Sequence, residues 1–374
     1  MEGRHVMTMQ VRMYDPGLTP RGILPVLGGS AVLRNSNVST FSLNVHTENP
    51  IAARFTTGWH IALEDDSTQL LTGQPDKISV TSQNGVHDLV ISGQSHLRWV
   101  RDMITLPTPS RPVDQQTDTA NYKVKGTAGQ VIYDMLRTHI GQTARDENRR
   151  PITITRGPDG AQTLVDSRFQ NLLDETRAIL GTLRLTTWME GSQIHAGAIA
   201  TRNLTRSVRL SEASAGLTGY TYELEAPTVT RVLVAGQGVG AARTMKLHTG
   251  NPNEWGVNVL QFQDRRDTDD ADELEKAGTD TLTEGQEKAS ITLETTDTIG
   301  KRFARDFDLG DTVTVTLATG VQIQDIVQTA DITWDEKGRQ VKLQIGPTQE
   351  DLDAPAWVKR VHKLRTDLRR LQTV

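Results

Sequence analysis

The chain of 374 residues contains no cysteine, which excludes disulfides, thiolate metal sites and cysteine nucleophiles. It also has no apolar run approaching the ~20 residues needed to span a bilayer. The first ten residues are too polar for the apolar region of a signal peptide. We therefore expect a protein made in a cytosol, with no membrane-spanning segment and nothing that directs its export.

Aromatic residues and net charge are also in short supply. The aromatic content of 5% argues against a carbohydrate-binding platform, and the net charge of -5 gives no overall attraction to nucleic acid or anionic membranes. The 36% hydrophobic and 23% charged content is that of an ordinary soluble protein. A chain of this length is expected to form two or three domains rather than one large core.

Recognisable catalytic and metal-binding motifs are missing. There is no HExxH, GxSxG or SxxK, and the nine histidines are scattered without metal-ligand spacing. We expect no catalytic, cofactor-binding or metal site. Paired carboxylates, as in glycoside hydrolases, leave little trace in a sequence, so a hydrolase stays open as an alternative.

Two stretches invite a functional interpretation that their surroundings do not favour. The glycines of residues 236–240 follow a strand, but a dinucleotide site needs a helix after them, and the next segment alternates like a strand. A glycine-rich hairpin is the preferred interpretation. The aspartates of residues 264–272 lack the glycine and terminal glutamate of a calcium loop, and they suit the start of a solvated helix.

Alternating apolar residues predict a β domain over residues 1–125. Short strands at this spacing, such as those around Leu43 and Ile61, are typical of a barrel or sandwich. The run from Leu70 to Val80 carries Gly73 and Pro75, which predicts a bulged or edge strand. Residues 16–22 and 106–118 are expected to be loops.

Residues 126–205 change to a helical period. Thr127 is positioned to cap a first helix, and a second is predicted to bury Phe169 and Leu180 and to stop at Gly181. A strand pair follows. This predicts a small α/β domain inserted into the β protein.

Residues 206–350 return to strands around one helix near Leu274. Their clearest part is a meander that opens at the turn of Leu309, Gly310 and Asp311. In its second strand the apolar positions change from odd to even numbers near Asp325, which predicts a β-bulge.

Residues 351–374 are predicted to form a helix. Its apolar residues are spaced 4, 3, 4, 3 like a coiled-coil seam with basic flanks, and they are Trp357, Val361, Leu364, Leu368 and Leu371. Because an isolated helix of this length is marginal in water, the seam must pack against its own domain or against copies in an oligomer. The predicted fold is mainly β with an α+β insertion: β-barrel-like domains, a small inserted α/β domain and a short C-terminal coiled-coil helix.

Three stretches, taken in order, resemble the tail-hub proteins of long-tailed bacteriophages and prophages, also called baseplate hub or minor tail proteins. The first is residues 58–63, with Leu71 to Gly73 and Leu89 to Gly93. The second is Arg265 to Asp267 with the helix behind it. The third runs from Phe307 through Asp311 to Gly346.

This resemblance implies a non-enzymatic structural protein at the tail tip of the virion. It implies a ring, as a homotrimer of β-barrel-like hub domains, that docks beneath the distal tail-tube protein and joins it to a spike, fibre or other tail-tip protein. Phage DNA would pass through the lumen without specific binding. The processes in which such a protein would take part are host cell attachment and genome ejection. No cofactor is implied. Within the hub domains, the structural residues would be Trp59, Gly73, Gly93, Leu309, Gly310 and Asp311.

In that setting the C-terminal seam would be an oligomer interface. Two other functions stay open at this point. One is a tail-associated cell-wall or capsule hydrolase that uses paired carboxylates, and the other is a receptor-binding tail module.

Overall fold

A computed structural model describes residues 9–46, 55, 57–83, 86–211, 217–253, 255–266, 268–295, 301–317, 320 and 322–346. The chain is mainly β with few helices, as the sequence predicts. The expected C-terminal helix and its seam of Trp357, Val361, Leu364, Leu368 and Leu371 lie outside the described residues.

The first part of the chain forms seven strands and one short helix. These are β1 (Met9–Tyr14), β2 (Pro20–Leu24), β3 (Val26–Arg34), β4 (Thr40–His46), β5 (His60–Asp65), β6 (Thr68–Gln83), β7 (Val86–Ser95) and α1 (Arg98–Arg101).

The middle part forms an α/β unit, called here the inserted domain. Its elements are β8 (Tyr122–Thr127), α2 (Ala128–His139), β9 (Ile152–Ile154), β10 (Gln162–Ser167), α3 (Leu172–Ala178), β11 (Leu183–Glu190) and β12 (Gln193–Ala200).

The last part is again mostly strand. Its elements are β13 (Arg209–Ser211), β14 (Leu217–Glu225), β15 (Arg231–Ala235), β16 (Met245–Thr249), β17 (Leu260–Asp264), α4 (Ala271–Glu284), β18 (Lys288–Thr295), β19 (Thr312–Thr316), β20 (Gln322–Asp335) and β21 (Gly338–Ile345).

Thirteen strands form one sheet, called here the β body. Its main path runs in the order β14-β18-β21-β20-β3-β4-β7-β6-β5-β1-β2, and β19 joins it by pairing with β20 and β13. The pairing of β20 with β3, from Thr329 opposite Arg34 to Trp334 opposite Gly29, joins the first and last parts of the chain. A single apolar core runs through both parts. The domain boundaries expected from the sequence stay a prediction.

A second core packs the inserted domain against the β body. It combines residues of α2 such as Val131 and Leu136 with Trp99 and Ala62 of the first part. Two local expectations fail here. Phe169 is 43% exposed with φ +53°, so α3 begins after Asn171, whose side chain accepts from the amides of Leu173 and Asp174. Thr127 occupies the N-cap of α2, but its hydroxyl donates to Asp159 Oδ1 instead of capping the helix.

Several strands have no clear signal in the sequence. The expected loop at residues 16–22 includes the start of β2. The strand β3 gives no periodic signal, because Gly28 and Gly29 interrupt its alternation of apolar and polar residues. A Cβ at Gly28 would lie 2.6 Å from the carbonyl oxygen of Trp334, so close strand packing requires glycine there. The strands β8, β9 and β10 were also unpredicted.

Both expected irregularities are present in the sheet. The register of β6 against β7 shifts between Pro75 and Lys77, as the glycine and proline of β6 predict. In β20 the shift lies between Val327 and Thr329, slightly later than Asp325. No helix among the described residues is long and apolar enough to cross a membrane.

Candidate assembly site

The turn of residues 308–311 lies where the β body meets the inserted domain. Gly310 has φ +79°, in the left-handed region that favours glycine, and its amide donates to the carbonyl oxygen of Val327 at 2.8 Å. A Cβ added at Gly310 would lie 2.8 Å from Cγ2 of Thr201, the residue that follows β12. Conformation and space both require glycine at this joint.

Asp311 is the buried anchor of the turn, with only 3% of its surface exposed. Its carboxylate accepts from the Arg202 amide at 2.8 Å, from Arg202 Nη2 at 2.6 Å and from the Asp308 amide at 2.9 Å. The same hydrogen bonding raises the pKa of Arg202. This carboxylate therefore ties the start of β19 to the segment that leaves the inserted domain.

Arg184 of β11 makes the reciprocal contact from the inserted domain. Its Nη1 donates to the carbonyl oxygen of Leu309 at 2.8 Å, and its Nη2 contacts Asp308 Oδ2 at 2.9 Å. The Arg184 side chain is only 12% exposed, whereas that of Asp308 is 41% exposed. Leu309 is buried in the core of the β body. The turn thus connects both units through backbone and side chain.

A second contact between the two units uses an amide side chain in place of a neighbouring strand. Gln69 of β6 donates through Nε2 to the carbonyl oxygen of Met189 at 3.0 Å and accepts from the Met189 amide at 2.7 Å. Because these are the two backbone groups that a paired residue would satisfy, Gln69 holds β11 against the β body.

A buried chain of polar groups crosses the same contact. Thr72 Oγ1 donates to Thr187 Oγ1 at 3.2 Å, so it must accept from His96 Nδ1, at 3.1 Å. His96 Nε2 then accepts from His60 Nδ1 at 2.9 Å. Burial lowers the pKa of His60 to about 4 and that of His96 well below its usual value, so both rings are neutral near pH 7.

A cavity of about 260 Å³ lies between these contacts. Its walls come from both units and include Arg34, Gln69 and Thr72 of the β body and Arg184, Thr186 and Trp188 of the inserted domain. Polar side chains that line the cavity hold the two units together: Arg184, Gln69 and Thr72 each form a hydrogen bond between the β body and the inserted domain.

Trp59, Gly73 and Gly93, expected as structural residues, lie elsewhere in the β body. Trp59 is half-buried, with its ring centroid 5.5 Å from that of Phe55. Gly73 and Gly93 lie over the ring of Phe41, since added Cβ atoms would lie 3.0 Å and 2.6 Å from it. The two glycines therefore let three strands close around one aromatic ring. Their predicted role in a hub stays a prediction.

Sequence reasoning missed a buried ion cluster that ties the first strands to the last. The Asp65 side chain, 2% exposed, pairs with Arg302 Nη2 at 2.7 Å and with Arg339 of β21. Arg302 also contacts Asp66 at 2.6 Å. The partners are separated by more than two hundred residues along the chain, and no spacing pattern could have revealed them.

The glycines of residues 236–240 and the aspartates of residues 264–272 lie in ordinary turns and at a helix start. Residues 236–244 connect the antiparallel strands β15 and β16, and this connection contains a single 3-10 turn (Gly240–Ala242) but no α-helix. The acidic run leads into α4, where Asp270 Oδ1 accepts from the amide of Asp272. Among the described residues, no group of three or more His, Cys, Asp or Glu side chains could hold a metal ion.

Comparison with known families gives one match over most of the chain. Residues 10–347 match the sequence model of a family described as Siphovirus ReqiPepy6 Gp37-like protein. This range includes the β body, apart from Met9 at the start of β1, and the whole inserted domain. No curated protein matches the chain significantly.

Two solved structures share the fold. A tail protein from Neisseria meningitidis MC58 is 14% identical with a TM-score of 0.55, covering 90% of this chain and 96% of its own. The 43 kDa tail protein of prophage MuSo2 from Shewanella oneidensis is 10% identical with a TM-score of 0.57, covering 92% of this chain and 100% of its own. At such identities the comparison establishes a shared fold.

Proposed function

The chain belongs to the Siphovirus ReqiPepy6 Gp37-like protein family, and from this premise we propose that it is a non-enzymatic structural component of a phage tail. The resemblance to a tail-protein family of long-tailed phages is thereby confirmed. The observation that carries the proposal is the family match over residues 10–347, which takes in all thirteen strands of the β body except the first residue of β1. The tail proteins from N. meningitidis and prophage MuSo2 share this fold over almost their whole length.

In more detail, we propose a hub at the tail tip. Copies of the β body, three in the simplest case, form a ring around the DNA path, below the distal tail-tube protein and above a spike or fibre. The open sheet edges support this arrangement: among the described residues, β2 pairs only with β1 and β14 only with β18. Open edges pair readily with neighbouring chains, and a ring covers them.

The joint between the units suits such a role. Asp311, Arg184 and Gln69 hold the inserted domain to the β body through buried or half-buried hydrogen bonds. A protein that connects two tail components needs its domains to keep a fixed orientation relative to each other. The proposal does not need the seam at residues 357–371.

The localisation test uses virions of the phage or prophage that encodes the chain. Gold-labelled antibody against the purified protein should mark the tail tip in electron micrographs, and light scattering of the purified protein should give a trimer mass. Absence of the label from the tail would overturn the proposal. Label on the tail with a monomer mass would overturn the ring alone. Turnover of envelope material by the purified chain would instead support a hydrolase.

The edge contact has its own test. Ile23 of β2 is 44% exposed at the open edge, and Ile23→Lys should weaken the oligomer because a charged side chain blocks edge pairing. Leu164→Lys is the matched control, since Leu164 of β10 is 59% exposed on the inserted domain. Equal oligomer masses for both variants across a dilution series would exclude β2 from the ring contact.

A further inference from the structure

The sheet of β16, β15 and β17, called here the small sheet, has two faces with different surroundings. Val232 and Val234 of β15 pack against Leu274 and Ala277 of α4, which covers the first face. Side chains alternate along a strand, so Leu233 points to the opposite face, called here the outer face. Among the described residues, no helix or strand covers it.

The middle row of the outer face is apolar across all three strands. Leu233 lies opposite Leu247 of β16 and Phe262 of β17, so the three side chains form one row. Leu247 is 55% exposed and Phe262 is 54% exposed. Met245 and Leu260, in the rows above and below, are 56% and 51% exposed. A contiguous exposed apolar patch of this kind marks an interaction surface.

We propose that the outer face of the small sheet is the docking site for residues 357–371 of the same chain. The sequence leaves two partners open for the seam in this segment, its own chain or other copies. Three observations favour its own chain: where β21 ends, how the seam is patterned and how charge is distributed. The inference does not rest on the proposed tail function.

The path of the chain brings the segment to the small sheet. Ile345, at the end of β21, pairs with Ile291 of β18, three residues from Lys288. Lys288 in turn pairs with Glu225, and residues 226–287 between them contain the small sheet and α4. Residues 347–356 could extend for about 33–36 Å. The seam is therefore tethered within reach of the outer face at a high effective concentration.

The apolar pattern of the segment matches the outer face, and its net charge is opposite to that of the small sheet and α4 taken together. Its stripe of Trp357, Val361, Leu364, Leu368 and Leu371 would be exposed to water in an isolated helix, which is marginal at this length. Residues 357–371 carry six basic and one acidic side chain, whereas the small sheet and α4 together, residues 226–287, carry eleven acidic and six basic, so their net charges are opposite. Apolar contact and opposite net charge both favour association.

The absence of cysteine makes a labelling test clean. In the full chain carrying Leu247→Cys, we expect a neutral maleimide to react at least about tenfold more slowly than in the same chain with Leu364→Asp and Leu368→Asp. Tenfold protection corresponds to about 1.4 kcal/mol of docking free energy. Asp280→Cys, on the exposed side of α4, is the matched control and should react at the same rate in both backgrounds.

Two further variants guard against trivial results. Phe262→Cys repeats the readout at a second row position, in case Leu247→Cys itself weakens docking. Leu364→Ala with Leu368→Ala removes apolar area without adding charge, and it should give partial deprotection if the double aspartate variant folds poorly.

The outcomes separate the partners. Protection that persists on dilution, with an unchanged mass by light scattering, supports docking within the chain. Equal labelling rates with and without the seam substitutions overturn it. Protection that disappears on dilution together with the oligomer also overturns it, because the seam then binds another copy. None of these results depends on where the protein lies in the virion.

Discussion

Asp311 combines near-complete burial with hydrogen bonds from two parts of the chain, Arg202 and Asp308. Asp311→Ala would leave the amides of Arg202 and Asp308 without this acceptor. We expect the free energy of unfolding to fall by about 2–4 kcal/mol, because each buried donor left unpaired costs about 1–3 kcal/mol. Urea denaturation of the purified protein measures this directly.

Asp308→Ala is the matched control for that substitution. The Asp308 side chain is 41% exposed and pairs with Arg184, so its loss should cost about 1 kcal/mol or less. An equal loss of unfolding free energy in both variants would show that the burial of Asp311 does not determine how much this residue contributes to stability.

The His60 and His96 pair predicts a pH dependence of stability. Burial lowers the pKa of His60 from 6.5 to about 4, and that of His96 is lowered as well. Between about pH 4 and pH 6.5, the histidines of the unfolded chain bind protons that the same histidines in the folded chain do not bind. The free energy of unfolding should therefore be highest above about pH 6.5 and fall as the pH drops towards 4, by about 1.4 kcal/mol per pH unit for each histidine.

His60→Gln isolates this contribution. Glutamine keeps an N–H that can donate to His96 Nε2 but removes one titrating group. Subtracting the urea-derived unfolding free energies of the variant from those of the native chain should leave a difference that is constant above about pH 6.5 and changes by about 1.4 kcal/mol per pH unit between about pH 6 and 4.5. A flat difference would contradict the assignment.

Among the elements, β6 and β7 close on β4 only because glycines face the ring of Phe41. A Cβ at Gly93 would lie 2.3 Å from the carbonyl oxygen of Gln74 and 2.6 Å from Phe41 Cζ. We expect Gly93→Ala to lower the free energy of unfolding by about 1–3 kcal/mol, as overpacked cores do.

Gly126→Ala of β8 is the control, because its added Cβ would meet nothing nearer than 3.7 Å. Thermal unfolding followed by circular dichroism compares the two variants. If Gly93→Ala melts no lower than Gly126→Ala, the strands have room that the structure does not show.

The elements also show where periodicity fails as a predictor. The strand β3 was missed because Gly28 and Gly29 remove side chains from its pattern, although close approach to Trp334 and Ser42 is what requires them. Phe169 fits the helical spacing of α3, yet it lies outside the helix with positive φ, and its amide donates to the carbonyl oxygen of Thr105 at 2.8 Å. In both cases a tertiary contact outweighed the local pattern.

At the scale of the whole molecule, two contacts join the first and last parts of the β body: the ion cluster of Asp65, Arg302 and Arg339 and the pairing of β3 with β20. We therefore expect the β body to unfold as one unit. Trp59 and Trp334, which lie in its first and last parts, should report the same denaturant midpoint when the protein carries fluorotryptophan and is followed by fluorine NMR.

Asp65→Ala should lower both midpoints together. The loss should be about 3–5 kcal/mol, because two buried guanidinium groups, those of Arg302 and Arg339, each lose their ion pair with the buried Asp65 carboxylate. Asp66→Ala is the control, with a side chain that is 45% exposed, and should cost about 1 kcal/mol or less. Separate midpoints for the two tryptophans would show that the parts fold independently.

The sequence by itself determined the local structure of this protein: the alternating strands, the meander from β19 to β21, its bulge, the helix near Leu274 and the resemblance to a phage tail family. Each of these depends on residues that are close along the chain. Only the tertiary structure decided that β3 joins β20, that Asp65 meets Arg302 and Arg339, that two histidines bridge to Thr187, and that no other described element covers the outer face of the small sheet. These features depend on residues that meet only after folding, which no local spacing encodes.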